Sequence, residues 1–380
     1  DASAVTGGNE RVVRPRLADA KFFFDQDRKK TLAERVPGLA KVVYHGKLGT
    51  QLERVERVRA IAKAIAEQLG GGVLSAQVDQ AAQLAKADLL TDMVGEFPEL
   101  QGIMGGYYAR HDGLSEAVAF AIEDHYKPRF AGDALPRNEV GLVVALADKL
   151  ETLVGMFGIG QLPTGDKDPF ALRRHALGVV RMLSGPAGNI GVDQLLAAAI
   201  PAFGTLISDP TGPLTEFIFD RLSGNLRDQG FNAQEVDAVL ALRPQRLADV
   251  SKRLEAVRAF AALPEAEPLA AANKRIGNIL KKSEAAVQAR VDAALLQEPA
   301  EQALAAALNE VAPKADALFQ QGEYAASLRA LAALKAPVDA FFDGVMVNAE
   351  DAALRANRLG LLKTLHQAMN RVADLARLAS

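Results

Sequence analysis

The stretch Val140-Gly-Leu-Val-Val-Ala-Leu-Ala-Asp-Lys-Leu-Glu-Thr-Leu-Val-Gly-Met-Phe157 decides the fold class. It is unusually apolar around the whole helical wheel, which marks a central helix buried on more than one stripe. The segments around it also show helical spacing. Val55, Val58, Ile61, Ala62 and Ile65 outline an amphipathic helix that Gly70-Gly-Gly72 ends, and another is expected over roughly Val78 to Val94. Strand-like alternation is rare and short. The expected fold class is all-α and multi-domain.

Gly185-Pro-Ala-Gly188 and Asp209-Pro-Thr-Gly-Pro213 punctuate the middle of the chain. Phe217 to Gly230 reads as a helix with a C-terminal glycine, and from about Ser283 an Ala- and Leu-rich composition begins. Pro313 and Pro337 are expected to divide that last region into separate helices. With 380 residues, two or three domains are accessible. The 44 basic and 47 acidic residues leave a net charge of −3, so any RNA site must come from local charge. The chain has no cysteine, which excludes disulfides and thiolate metal sites. No stretch approaches the roughly 18 apolar residues of a membrane span. The expected location is the cytoplasm, with no membrane and no DNA as partner.

Leu162-Pro-Thr-Gly-Asp-Lys-Asp-Pro-Phe-Ala-Leu-Arg-Arg174 carries an elaborate helix start. Asp168 is expected as N-cap and Pro169 as first helical residue, with Arg173 and Arg174 one turn in. This string resembles a signature of the beta subunit of bacterial heterotetrameric glycyl-tRNA synthetase. Further segments follow in the same family's order. They include Gly8-Asn-Glu-Arg-Val-Val-Arg-Pro-Arg16, Lys47-Leu-Gly-Thr50, Leu84-Ala-Lys-Ala-Asp-Leu89 and Gly95-Glu-Phe-Pro-Glu-Leu-Gln-Gly102. Pro128-Arg-Phe-Ala-Gly-Asp133, Ala145-Leu-Ala-Asp-Lys-Leu150, Ala272-Asn-Lys-Arg-Ile-Gly-Asn278 and Asp343-Gly-Val-Met-Val-Asn348 complete the match. The resemblance implies a large additional N-terminal region ahead of Asp1, so 1–19 is expected as a remnant. It further implies a degenerate phosphohydrolase-like (HD-like) helical domain over 20–185, a helical connector over 186–282 and an anticodon-binding domain over 283–380. On this reading the chain has no catalytic residue and binds no cofactor. ATP and Mg belong to the separate alpha subunit, and this chain alone is inactive.

His45, His111, Asp112 and Asp148 stand in the order used by helical metal-dependent phosphohydrolases, and neutral imidazoles with carboxylates suit a hydrolytic divalent ion. Against that, His111-Asp112-Gly113 looks like a turn at a helix end. In Leu84-Ala-Lys-Ala-Asp-Leu89 the position of the ligating histidine is Ala87. The expectation is no metal, with a working phosphohydrolase as the rival reading.

The candidate RNA surface is 348–380. Asn348 is expected to cap a helix in which Leu354, Leu361, Leu365, Val372 and Leu375 form an apolar stripe. Arg355, Arg358, Lys363, Arg371 and Arg377 mostly fall elsewhere around it, where cations can meet phosphates. A solvated amphipathic helix is the plain alternative on spacing alone. Asp351-Ala-Ala-Leu-Arg-Ala-Asn-Arg358 resembles the Asp-Ala-Leu-Arg type of anticodon-binding domain, with one inserted alanine. The resemblance implies a tRNA-binding set of Arg355, Asn357, Arg358, Lys363, Arg371 and Phe342, with Asn357 reading a base edge and Phe342 stacking. Phe341 and Phe342 also fit a core. Lys167, Arg173 and Arg174 are a second basic surface, for RNA or for the alpha subunit. Lys274 and Arg275 fit either a contact surface or a helix junction. The implied function is to bind and orient glycine tRNA for ATP-dependent glycylation by the alpha subunit. A subunit-assembly module without RNA binding is the further rival.

Overall fold

Helices make up almost all the regular structure of the computed structural model, which describes residues 1–283 and 285–380. The chain forms two units, Asp1–Arg221 and Leu222–Ser380. The expected boundaries at 185/186 and 282/283 therefore fall inside units. The all-α expectation holds: the sheet among the described residues is one two-stranded antiparallel hairpin.

The first unit begins with α1 (Ala2–Asp27) and the short α2 (Leu32–Arg35). The hairpin β1 (Val43–His45) and β2 (Gly49–Thr50) then leads into α3 (Gln51–Gln68). Next come α4 (Val73–Leu84), the short α5 (Asp92–Glu96), α6 (Ile103–His111) and α7 (Glu116–Asp124). The unit continues through α8 (Glu139–Gly158), α9 (Leu172–Ser184) and α10 (Val192–Ala199), and α11 (Thr211–Asp228) carries the chain across the boundary. As its composition demands, α8 is central: every residue from Val140 to Met156 is buried. Its N-terminus is fixed by Asn138, whose side chain accepts from Gly141 N at 2.7 Å. Helices α3, α4, α7 and α9 pack around it. Leu146, Leu150, Leu153 and Val154 are fully buried there, each worth roughly 1.5–3 kcal/mol of transfer free energy.

Most of α1 is exposed, and residues 2–19 continue without a break to Asp27, with Asp1 as the N-cap. Asp27 anchors that end. Its carboxylate accepts from Asp92 N (2.8 Å), Met93 N (3.0 Å) and the Tyr108 hydroxyl (2.6 Å), so it caps α5.

Three expected elements differ. The helix over 78–94 breaks after Leu84, because Lys86 and Asp88 are buried and find partners off the helix axis. The helix expected from Phe217 starts at Thr211, with Pro213 in its first turn where no donor is needed. Pro313 does not divide the last region but lies inside a continuous helix. The carbonyl that loses its partner belongs to exposed Asn309, where water can replace the bond.

The second unit holds α12 (Ala233–Leu240), α13 (Val250–Ala261), α14 (Ala266–Lys281) and α15 (Pro299–Gln320). It closes with α16 (Tyr324–Leu331), α17 (Lys335–Gly344) and α18 (Ala352–Met369). Pro337 sits in the first turn of α17 and does not interrupt it. Leu254, Phe260, Ile276, Leu304, Phe341 and Leu365 are among its buried core. One polar pair lies within that packing. Asn273 of α14 and Asn370 after α18 exchange two amide bonds, at 2.9 and 2.8 Å.

Candidate nucleic-acid interface

The cap of α18 is Asp351 and not Asn348. Its carboxylate accepts from Ala353 N and Leu354 N, at 2.9 and 3.0 Å. Charge at a helix N-terminus favours this carboxylate over an amide. Leu361, Leu365, Val372 and Leu375 of the expected stripe are buried, and Leu354 is half-buried.

The polar residues of α18 are mostly engaged within the protein. Arg358 is buried and donates to Glu301 at 2.7 Å and to the Met346 carbonyl at 2.6 Å. Asn357 is buried as well and clasps the backbone of Asp292 from both sides. Its Oδ1 accepts from Asp292 N at 2.7 Å and its Nδ2 donates to Asp292 O at 3.2 Å. Lys363 donates to the Val287 carbonyl at 2.6 Å, and Arg355 to the Ala349 carbonyl at 2.8 Å. Between Asn357 and Lys363 lies Gly360, where an added Cβ would stand 2.1 Å from the Arg290 carbonyl oxygen. Asn357, Gly360 and Lys363 recur every three residues along one face and hold residues 287–292 as a strap across the helix. The expectation that Asn357 and Arg358 face a ligand is corrected accordingly: their polar atoms serve the fold.

Phe341 is core, whereas Phe342 is half-exposed and carries the Arg275 guanidinium 4.3 Å from its ring centroid. Arg371 is exposed, pairs with Asp316 and lies 4.5 Å above the Phe319 ring. The cations of α14 that sequence left ambiguous are the ones presented to solvent. Lys274, Arg275, Asn278 and Lys282 are exposed along a groove of about 390 Å³ beside Ala379 and Ser380. Among the described residues, no carboxylate pairs with Lys274 or Lys282. The helical spacing of Lys274, Asn278 and Lys282 is the signal that could have singled them out.

At the second basic surface, Asp168 does cap, but α9 starts at Leu172 and not at Pro169. Asp168 accepts from Leu172 N at 2.8 Å and Arg173 N at 2.9 Å. A turn closed from Ala171 N to Asp168 O intervenes, and Ala171 takes the left-handed conformation with φ 54°. Arg173 donates to the Gly165 carbonyl at 2.7 Å, while Lys167 and Arg174 stay exposed.

The four residues of the phosphohydrolase rival do not converge. His45 Nδ1 accepts from Lys47 N at 3.1 Å, Asp112 accepts from Leu32 N at 2.8 Å, and His111 is exposed. Asp148 lies between two cations, Arg54 and Lys86, each at 3.2 Å. Burial alone would raise the Asp148 carboxyl, but Lys86 and Arg54 outweigh it and hold the group well below the carboxylate range. These two side chains supply the positive charge that a metal would bring. The network extends through Glu151, which accepts from Arg54 at 2.7 Å and Arg57 at 3.1 Å. Asp88 accepts from Gly102 N and Gly105 N at 2.6 and 3.0 Å, and burial pushes its carboxyl up to about 6. Burial lowers the Lys86 ammonium to about 8 and the His125 imidazole to about 3. Among the described residues, no three His, Cys, Asp or Glu side chains are placed to hold a metal ion. Among the same residues, no helix is long and apolar enough to cross a membrane.

Comparison with known proteins gives the chain two matched regions. Residues 1–241 match the family profile described as glycyl-tRNA synthetase beta subunit, and residues 269–376 match the DALR anticodon binding domain. A glycine–tRNA ligase beta subunit of Leptothrix cholodnii is 75% identical over 100% of this chain and 55% of its own length. Proteins of the same name from Delftia acidovorans and a Janthinobacterium species are 74% and 72% identical, again over 100% of this chain and 54% of their own lengths. The chain thus spans about half the length of the relatives it matches.

Proposed function

Because the chain belongs to the glycyl-tRNA synthetase beta subunit family, we propose that it binds glycine tRNA and orients it for glycylation by the alpha subunit. It contributes no catalytic group; ATP and Mg act at that partner. The observation that carries this reading is the exposed face of α14. There, among the described residues, Lys274 and Lys282 have no carboxylate partner, and Arg275 lies against Phe342 within the region matching an anticodon-binding domain. Unneutralised cations attract the phosphate backbone, and a guanidinium beside a half-exposed ring is a platform for an unstacked base. Arg371 above Phe319 repeats that pairing of cation and ring. In this reading Arg355, Asn357, Arg358 and Lys363 build the surface, and Lys274, Arg275, Lys282, Phe342 and Arg371 touch RNA. Lys167 and Arg174 remain candidates for RNA or for the alpha subunit. The first unit is read as a phosphohydrolase-like domain whose Asp148 has exchanged a metal for Lys86 and Arg54.

The test is binding of glycine tRNA, beside the same tRNA with an altered anticodon, to the chain and to a Lys274→Gln/Arg275→Gln variant over a range of salt. The double variant is expected to bind more weakly and to lose about 1.4–1.8 from the slope of log affinity against log salt. Unchanged affinity and slope would overturn the assignment of α14. Intact tRNA binding with loss of alpha-subunit assembly would favour the docking role instead.

A further inference from the structure

A cavity of about 260 Å³ opens in the first unit, and its lining is strongly cationic. Lys149 of α8 forms one wall, with Arg174 and His175 of α9 and Arg129 around it. Gln101 and Glu99 complete the polar lining, and Glu99 is the only acid there. Lys149 is 1% exposed, yet the structure gives its ammonium a single hydrogen bond, to the Tyr126 carbonyl at 3.2 Å. Its chain neighbour Asp148 is engaged with Arg54 and Lys86, and among the described residues no carboxylate forms an ion pair with Lys149.

Asp148 and Asp133 act on this buried ammonium without an ion-pair contact, a costly arrangement whose retention calls for an explanation. The packing makes room for it. Gly178 of α9 faces the lysine stem, and a Cβ there would stand 2.7 Å from Lys149 Cε. Arg174 is exposed, and Arg129 is shared with Asp133 at 3.1 Å. Burial and the nearby Lys149 lower the His175 imidazole to about 3, so the ring is neutral and offers one donor and one acceptor. The cavity lining thus carries three cations and one carboxylate, with Asp133 paired to Arg129 beside it, and has far more donors than acceptors.

We infer that this cavity binds a phosphate monoester, with Lys149 at its floor and Arg174 and Arg129 at its rim. A phosphate offers several acceptor oxygens to one ammonium and two guanidinium forks, which a carboxylate cannot fill. The volume falls just below the roughly 300 Å³ at which small-molecule sites begin, leaving room for the phosphate and part of its esterified group. Because Lys149 is buried, a terminal phosphate reaches it and the diester of a continuing strand does not. The source is either a free nucleotide or the 5′ end of an RNA.

The test is calorimetric titration of the whole chain at fixed ionic strength with inorganic phosphate, adenosine 5′-monophosphate, adenosine, and an RNA oligonucleotide with or without a 5′-phosphate. Saturable binding that requires the phosphate is expected, weakened at least tenfold in Lys149→Met and in the surface variant Arg174→Gln. Preference for the 5′-phosphorylated RNA over the mononucleotide would identify RNA as the source, and the reverse order would identify a free nucleotide. The inference is overturned if none of the phosphates binds, or if Arg174→Gln and Lys149→Met both bind as the parent does. Arg174→Gln decides alone should Lys149→Met fail to fold.

Discussion

Replacing Gly360 by alanine is expected to destabilise the protein locally, opposite to the usual effect in a helix. Alanine in a helix interior normally gains about 1 kcal/mol over glycine. Here the new Cβ would stand 2.1 Å from the Arg290 carbonyl oxygen and 3.0 Å from that of Gln288, both backbone atoms of the strap. The strap must lift, which breaks the two bonds between Asn357 and Asp292 and the bond from Lys363 to Val287. Two neutral hydrogen bonds and one from a charged donor are together worth roughly 2.5–6 kcal/mol if all are lost. With the helix gain subtracted and partial retention of contacts, the strap weakens by about 1–4 kcal/mol. Amide hydrogen exchange at Asp292 reads this directly, because its N–H donates to Asn357. Exchange should accelerate about 5- to 700-fold, at a tenfold change per 1.4 kcal/mol. Unchanged or slower exchange at Asp292 with a raised melting temperature would refute the packing argument.

Three further outcomes follow from the buried charges and the exposed face. Asp148→Asn leaves Lys86 and Arg54 facing a neutral amide, and urea unfolding should report a loss of about 3–5 kcal/mol; a loss below 1 kcal/mol would show the network to be dispensable. Burial places His125 and His175 near 3 in the fold against about 6.5 when unfolded, so below about 6.5 the unfolded chain binds more protons and stability falls as pH falls. Each imidazole contributes a slope of up to about 1.4 kcal/mol per pH unit, and Asp88, raised to about 6, opposes them with one group between about pH 4 and 6. A chemical-denaturation series from pH 4 to 7 should therefore rise, and more gently in His175→Gln; an equal slope in that variant would remove His175 from the account. Phe342→Ala should weaken tRNA binding without changing its salt dependence, since it removes stacking and no charge. An altered salt slope would place Phe342 among the structural residues instead.

The sequence made α8 legible because an unbroken apolar run needs no knowledge of its neighbours. Asp168 was legible as a cap for the same local reason, although Ala171 in the left-handed region delayed the helix to Leu172. The candidate site was less legible. Periodicity separates apolar from polar faces, but it cannot show which polar groups have partners far along the chain. Arg358 meets Glu301 across 57 residues, and Asn357 meets Asp292 across 65, so both look like free surface groups in any local window. Lys86 is a similar case. In sequence it stands next to a missing ligand, and in the fold it reaches Asp148, a helix that no local pattern places beside it.

The paired amides of Asn273 and Asn370 have a consequence for aim. Each amide completes the other, so sliding or rotating α14 by one residue against the end of α18 would strand the buried Asn273, while Asn370 keeps its bonds to the His366 carbonyl and Leu375 N. The pair therefore acts as an alignment key, permitting one angular setting of the helix. Lys274 and Arg275 directly follow Asn273 in the chain, so the direction in which they project is fixed by their neighbour's hidden bond and not by anything at the surface. A substitution at the key that kept the fold would turn the cations away from their target while leaving every one of them in place.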